Sequence, residues 1–308
     1  MGRFHPLGLI ADHPKPVLVA GLAIGIAVPG LARILSSWIP EMVVGLLFLG
    51  TLRLSPSGLR DLRTRVPAAI GLILTLQLAL PLALLGVAWA VGAANTPLTL
   101  ALVLLACAPP IVSSPNIAAI MRLDASVAMQ LMVVGSVLLP LTSLPVFWLM
   151  PALGSADLVF GASLRLLVTI VVAGGGAILL RRIVLPDPGP QMLRRLDGLS
   201  VLALAIFVIA LMPAVSGAIA NDAATFLFWM MVAFGANFGL QIAMLWLGRN
   251  TAPAPVNGAR ALIAGNRNIS LFFVALPQEV TAPLLVFLGC YQLPMLLTPV
   301  LLSRLYSR

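Results

Sequence analysis

The sequence predicts an all-α integral membrane protein of ten transmembrane helices, arranged as two inverted five-helix halves with one broken helix in each. Three observations carry this reading. The composition is too apolar for a soluble core, the arginines fall on alternate loops, and helix-breaking polar runs interrupt the fourth and ninth apolar segments. Of 308 residues, 61% are hydrophobic and 9% charged, with a mean hydropathy of +1.10. A soluble domain carries roughly a quarter charged residues and must keep a wettable exterior. Lipid is therefore the expected surrounding, and the chain, 1–308, is expected to form a single transmembrane unit with short loops.

The net charge of +9 would raise the question of nucleic acid in a soluble protein. Here it sits on arginines between apolar runs, where membrane topology puts it, without the aromatic interleaving of a nucleic-acid binder. No nucleic-acid partner is expected. Cys107 and Cys290 lie inside apolar runs and form neither a metal spacing nor a disulfide framework, so no metal site is expected either. The segment 1–16 is polar and punctuated by prolines. The apolar run after it is too long for a signal peptide and lacks a cleavage pattern, so it is expected to be retained as the first span.

In order, the apolar runs predict spans at about 17–35, 41–54, 66–92, 97–121 and 125–150 in the first half. The second half predicts spans at about 158–180, 198–218, 223–247, 257–276 and 280–302. The second is short for a full crossing. With the N-terminus inside, the cytoplasmic segments would hold Arg3, Lys15, Arg53, Arg60, Arg63, Arg65, Arg122, Arg181, Arg182, Arg194, Arg195, Arg249, Arg260, Arg304 and Arg308. Those are 15 of the 18 basic residues. The opposite face would hold only Arg33, with Arg165 and Arg267 inside spans. This bias predicts both termini on the cytoplasmic side of the cell's inner (plasma) membrane. Arg165, nearer a helix end, is expected to snorkel to the interface.

Five spans per half is an odd number, so homologous halves at 1–155 and 156–308 would insert in opposite orientations, an inverted repeat. Pro115-Asn116-Ile117 in span 4 and Arg267-Asn268-Ile269 in span 9 occupy the same place in their halves. Hydrocarbon cannot solvate free backbone groups, so irregular backbone at membrane depth must line a cavity or bind something. The run from Cys107 to Asn116 holds three prolines with Ser113, Ser114 and Asn116. It reads as a discontinuity, with a simple proline kink as the alternative. Gly265-Asn266-Arg267-Asn268 is an equally polar run within span 9. Paired half-helices of this kind are the usual site of a secondary transporter.

Candidate substrate-binding residues are Ser113, Ser114, Asn116, Asn266, Arg267, Asn268 and Gln292. Gln77, Gln130, Asn237 and Gln241 are candidates for supporting polar groups of the same cavity, with interhelical hydrogen bonding as the plainer alternative for each. Asn237 and Gln241 share one helix face at i,i+4. Arg267 is the sharpest signal, because an arginine at a span centre costs about 2.5–3.5 kcal/mol on insertion scales. All nine acidic residues lie in loops or at helix ends, so no carboxylate inside the membrane neutralises it. It either faces a transport cavity or clamps carbonyls of the broken helices.

The span 4 break with Asn116, the Arg122-Leu123-Asp124 turn, Pro140 in span 5, Gln77 in span 3 and Gly265-x-x-Asn268 in span 9 together resemble the bile acid:sodium symporter family. The resemblance covers nearly the whole chain in helix count and spacing. It implies a panel of spans 1, 2, 6 and 7 and a core of spans 3–5 and 8–10. Within the core, the broken spans 4 and 9 would cross, and movement of the core would give alternating access to a small organic anion. It implies Gln77, Asn116 and Asn268 as retained site residues, with Ser113 beside the crossing. The departures are coherent. Pro115 stands where the family has a serine, Ala128 and Met132 where it has sodium-binding hydroxyls, Ile263 where it has a glutamate and Arg267 where it has a glutamine. A carboxylate with two sodium ions carries the same net +1 as an isoleucine with one arginine. The expectation is therefore sodium-independent transport, with Arg267 as a fixed cation and no cofactor.

Two alternatives stay open. One is a metalloid efflux carrier of the same superfamily using Cys107 as a soft ligand; the other is a membrane receptor that binds without translocating. An enzyme is not expected, since His5 and His13 lie outside the spans and no carboxylate pair or nucleophile constellation falls within them. Oligomeric state is not legible.

Overall fold

The computed structural model describes residues 6–53, 66–186 and 188–306. Arg3, Arg60, Arg63, Arg65 and Arg308 of the charge tally, with His5, Asp61 and Asp187, lie outside the described residues. The helices in chain order are α1 (Pro6–Asp12), α2 (Pro14–Ala27), α3 (Pro29–Ser36), α4 (Ile39–Leu52) and α5 (Val66–Ala90). They continue as α6 (Pro97–Cys107), α7 (Ser114–Ile120), α8 (Ala125–Leu149), α9 (Ala156–Ile183) and α10 (Pro190–Asn221). The last are α11 (Ala223–Gly248), α12 (Ala254–Gly265), α13 (Phe272–Ala275), α14 (Gln278–Leu301) and α15 (Ser303–Tyr306). Among the described residues no strand forms, and extended backbone pairs only in an isolated bridge between Pro110 and Arg267.

Six helices, α5, α8, α9, α10, α11 and α14, are long and apolar enough to cross a membrane. Counting each sharply bent pair (α1 with α2, α3 with α4) as one crossing raises the number to eight. The chain is an all-α, multi-pass membrane protein. The span expected at 17–35 is not one rod. Pro29 has no N–H to donate and pushes Val28 out of the helical region (φ −122, ψ 72), so α2 stops at Ala27. α3 begins at Pro29, and the chain bends by 76° between α3 and α4.

Prolines deeper in the spans are accommodated instead of breaking the rod. In α8, Pro140 and Pro145 lie inside a continuous helix. Thr142 Oγ1 donates to the carbonyls of Leu138 and Leu139 at 3.2 and 3.3 Å, and Ser143 Oγ to that of Pro140 at 3.4 Å. Hydroxyls thus serve carbonyls near the lost donors, as the bilayer requires. Asp124 starts α8 by accepting from the N–H groups of Ser126 and Val127, both at 3.0 Å.

The chain divides into two compact units. The first is Met1–Leu54 with Val168–Ala223, built around α10, against which α1, α2, α3 and α4 pack. Close approach depends on small residues. A Cβ on Gly21 would stand 2.9 Å from the Ala205 carbonyl oxygen, and one on Gly25 would run into Met212. Arg53 pairs with Asp197 at 2.5 Å, and Arg194 with Asp12. The second unit is Ser55–Leu167 with Ala224–Arg308. It contains α5–α8, the first half of α9 and α11–α15. Its apolar core joins α5 (Ala69, Ile73, Leu76), α8 (Val127, Ala128, Leu131) and α12 (Ala259, Leu262, Ile263).

Candidate functional site at the paired helix breaks

Both interruptions in the second unit follow from local chemistry. α6 ends at Cys107 because Pro109 restrains Ala108, which is extended (φ −63, ψ 149). Pro109 and Pro110 then offer no N–H to prolong the helix. α12 ends at Gly265, and Asn266 (φ −94, ψ 88) leads out of it. The two irregular stretches pair antiparallel. Ile111 N–H donates to Asn266 O at 3.0 Å and Asn268 N–H to Pro109 O at 2.7 Å. Backbone freed by each break is thus satisfied by the other, which is what non-helical chain needs inside hydrocarbon.

Arg267 ties this pairing together. It is fully buried; Nε donates to Ala264 O at 2.9 Å and Nη1 to Ala108 O at 2.9 Å. These carbonyls close α12 and α6, so one guanidinium bridges two helix C-termini. Each such end carries roughly half a negative charge, and two of them offset about one positive charge. That accounts for a buried arginine without a carboxylate. Of the two readings left open by the sequence, the geometry matches the clamp. Nη2 has no hydrogen-bond partner among the described residues.

A second network secures the end of α12. Gly265 O accepts from Asn237 Nδ2 at 2.7 Å and from the Tyr291 hydroxyl. Gln241 Nε2 donates to Asn237 Oδ1 at 2.6 Å and Thr298 Oγ1 at 3.1 Å, and its Oε1 accepts from the Tyr306 hydroxyl at 2.6 Å. Asn237 and Gln241, expected on a cavity wall, are fully buried and spent on interhelical bonds. Tyr291, Thr298 and Tyr306 were not singled out from the sequence. The seven-residue step between Tyr291 and Thr298 puts both on one face of α14, and that spacing is the signal that could have found them.

The remaining candidates divide. Asn266 is buried and donates to Leu262 O at 2.9 Å. Asn268 Oδ1 accepts from Ser270 Oγ at 2.6 Å, and its own N–H belongs to the antiparallel pairing. Ser114 is buried with its hydroxyl unpartnered among the described residues, while Ser113 and Asn116 are exposed. Gln292 donates to Leu288 O of its own helix at 3.4 Å. Gln130 lies with Arg260 in a separate cavity. Arg165, expected to snorkel, donates to Ala275 O at 3.4 Å and caps α13. Ala128, Met132 and Ile263 are buried, and Ala128 and Ile263 are part of the apolar core. None of these three side chains presents a hard oxygen such as sodium needs.

Gln77 stands apart. It lies in a π-helical turn of α5 (Thr75–Ala79), is fully buried, and neither amide atom has a partner among the described residues. Gly135 of α8 makes room for it beside the break. A Cβ there would stand 2.8 Å from Pro110 Cδ and 3.1 Å from Gln77 Nε2. An unsatisfied buried amide costs about 1–3 kcal/mol, so its retention calls for a function. Gln77→Leu is expected to raise the thermal midpoint of the purified protein by removing that unsatisfied amide; a lower midpoint would refute this.

No protein-family model matches the chain, and no curated protein matches it. The structure defines a class nonetheless: a multi-pass α-helical membrane protein in which two interrupted helices are joined at their breaks by a buried arginine.

Proposed function

We propose that this protein is a secondary transporter of a small organic anion, similar in plan to bile acid:sodium symporters and independent of sodium. The observation that carries the reading is the antiparallel pairing of the two helix breaks around Arg267. Discontinuous helices meeting within the bilayer are the common construction of transporter sites. On this reading the crossings number ten: six continuous helices, two bent pairs, and the broken pairs α6–α7 and α12–α13. Two inverted five-helix repeats then place one broken span fourth in each half. Both termini are cytoplasmic, in the cell's inner membrane. The division into compact units supports the panel-and-core plan, since the first unit collects spans 1, 2 and 7 with half of 6, and the second the rest.

Arg267 takes the part that sodium plays in the resembling family, as a cation held between two helix C-termini. Substrate meets Nη2, Ser114 and Gln77, whose polar atoms have no partner among the described residues. The test is flux into proteoliposomes, after a thermal-shift screen of small carboxylates and sulfonates, with sodium replaced by choline. Uptake is expected to stay within twofold; a steep sodium requirement overturns the assignment. Binding without flux would instead favour a receptor. Loss of activity on Cys107→Ser would favour a metalloid carrier, since Cys107 is buried next to Ala108.

A further inference from the structure

If Arg267 spends its charge on two helix ends, an anionic substrate needs another cation. Among the described basic residues of the second unit, several are already engaged. Arg165 caps Ala275 and Arg249 lies over the Trp246 ring at 5.2 Å. Arg260 is different. It sits on α12, half-buried, with no carboxylate within ion-pair distance among the described residues. It lines a cavity of about 40 Å³ with Gln130, Ala68, Ala69, Leu72, Val127, Leu131 and Val256. Gln130 is itself 6% exposed. Every other wall among the described residues is aliphatic.

The size and lining specify a ligand class. A single water needs at least about 10–15 Å³ of such space, so this cavity admits a group of a few heavy atoms and not a whole drug-sized molecule. A guanidinium presents two parallel N–H donors that match a carboxylate, and Gln130 gives the cavity a second polar wall beside it. The aliphatic walls lower the local dielectric on their side of the guanidinium, which strengthens an ion pair formed there. Arg260 lies five residues before Gly265, where α12 ends, about 7.5 Å of helical rise from the break.

We propose that the Arg260–Gln130 cavity is a second anion subsite, one that takes the carboxylate of the transported substrate at the α12 side of the paired breaks. The proposal rests on the transport reading for the identity of its ligand. The chemistry is shared with an anionic lipid headgroup, so the test must separate the two sources.

The experiment titrates acetate and propionate into the intact protein by calorimetry at constant ionic strength, in nanodiscs of zwitterionic lipid. Arg260→Gln and Gln130→Leu are expected to weaken binding at least tenfold, with the thermal midpoint of the unliganded protein kept within about 2 °C. Arg260→Lys is expected to recover part of the affinity. Unchanged titrations for Arg260→Gln, or no carboxylate binding by the wild type, overturn the subsite. Adding phosphatidylglycerol to the nanodiscs distinguishes the sources. Little competition supports the substrate; displacement of carboxylate at low mole fraction assigns the cavity to lipid and overturns the proposal. Flux separates the two readings. Wild-type carboxylate binding lost in Arg260→Gln, with no flux by either protein, leaves the subsite standing and removes the transporter. Sodium-independent flux unaffected by Arg260→Gln does the reverse.

Discussion

Arg267→Gln is expected to lower stability by about 2–6 kcal/mol, because the carbonyls of Ala108 and Ala264 each lose a buried donor at about 1–3 kcal/mol apiece. Both bonds are 2.9 Å long, and the side chain is wholly buried, so water cannot take over. The two helix C-termini would also face each other without a cation between them. Arg267→Lys keeps the charge but has no rigid planar fork to reach both carbonyls, so it should fall between wild type and the glutamine variant. Midpoints in detergent, by thermal or denaturant unfolding, read this directly. A glutamine variant as stable as wild type would remove the clamp and, with it, the account of why a cation is buried there.

Gly265→Ala is expected to have the second largest effect. A Cβ at this position would collide with the backbone carbonyl of Asn237 and with the Gln241 side chain, whose Nε2 would stand 3.1 Å away. Overpacking costs about 1–3 kcal/mol where neighbours can yield, occasionally more, and a helix backbone yields poorly. The same residue's carbonyl collects the Asn237 and Tyr291 bonds, so displacement of α12 from α11 would loosen that network too. Gly239→Ala, on α11 with nothing within 4 Å of the added methyl, is the control. It should be neutral or stabilise by up to about 1 kcal/mol. Equal midpoints for the two variants would show that α12 does not lie as close to α11 as described.

Both effects concern residues that the sequence singled out for one reason and the structure uses for another. Arg267 stood out as a charge in an apolar run, which holds whatever it touches. That it spans Ala108 and Ala264 depends on a contact across 159 positions of chain. Asn237 and Gln241 were recognisable as a polar pair on one face. Whether that face met a cavity or another helix depended on Tyr291, Thr298 and Tyr306 arriving from the far end of the chain. Arg260 was legible only as one more basic residue near a loop. Its place beside Gln130 required α5, α8 and α12 to be packed together.

By itself, the order of residues determined the lipid environment, the helical class and the places where helices stop. Each of these is governed by nearby chemistry: apolar run length, proline's missing N–H, and polar residues that hydrocarbon will not accept. Even here the break at Val28–Pro29 escaped notice, because the apolar run continues through it and hydropathy alone does not register a lost hydrogen bond. Tertiary structure alone decided which freed carbonyl meets which donor, and so set the clamp at Arg267 apart from Arg260, which lines a cavity with Gln130. The physical reason is that a buried polar group must find a partner wherever the fold supplies one, and the partners at this site lie on helices distant in sequence.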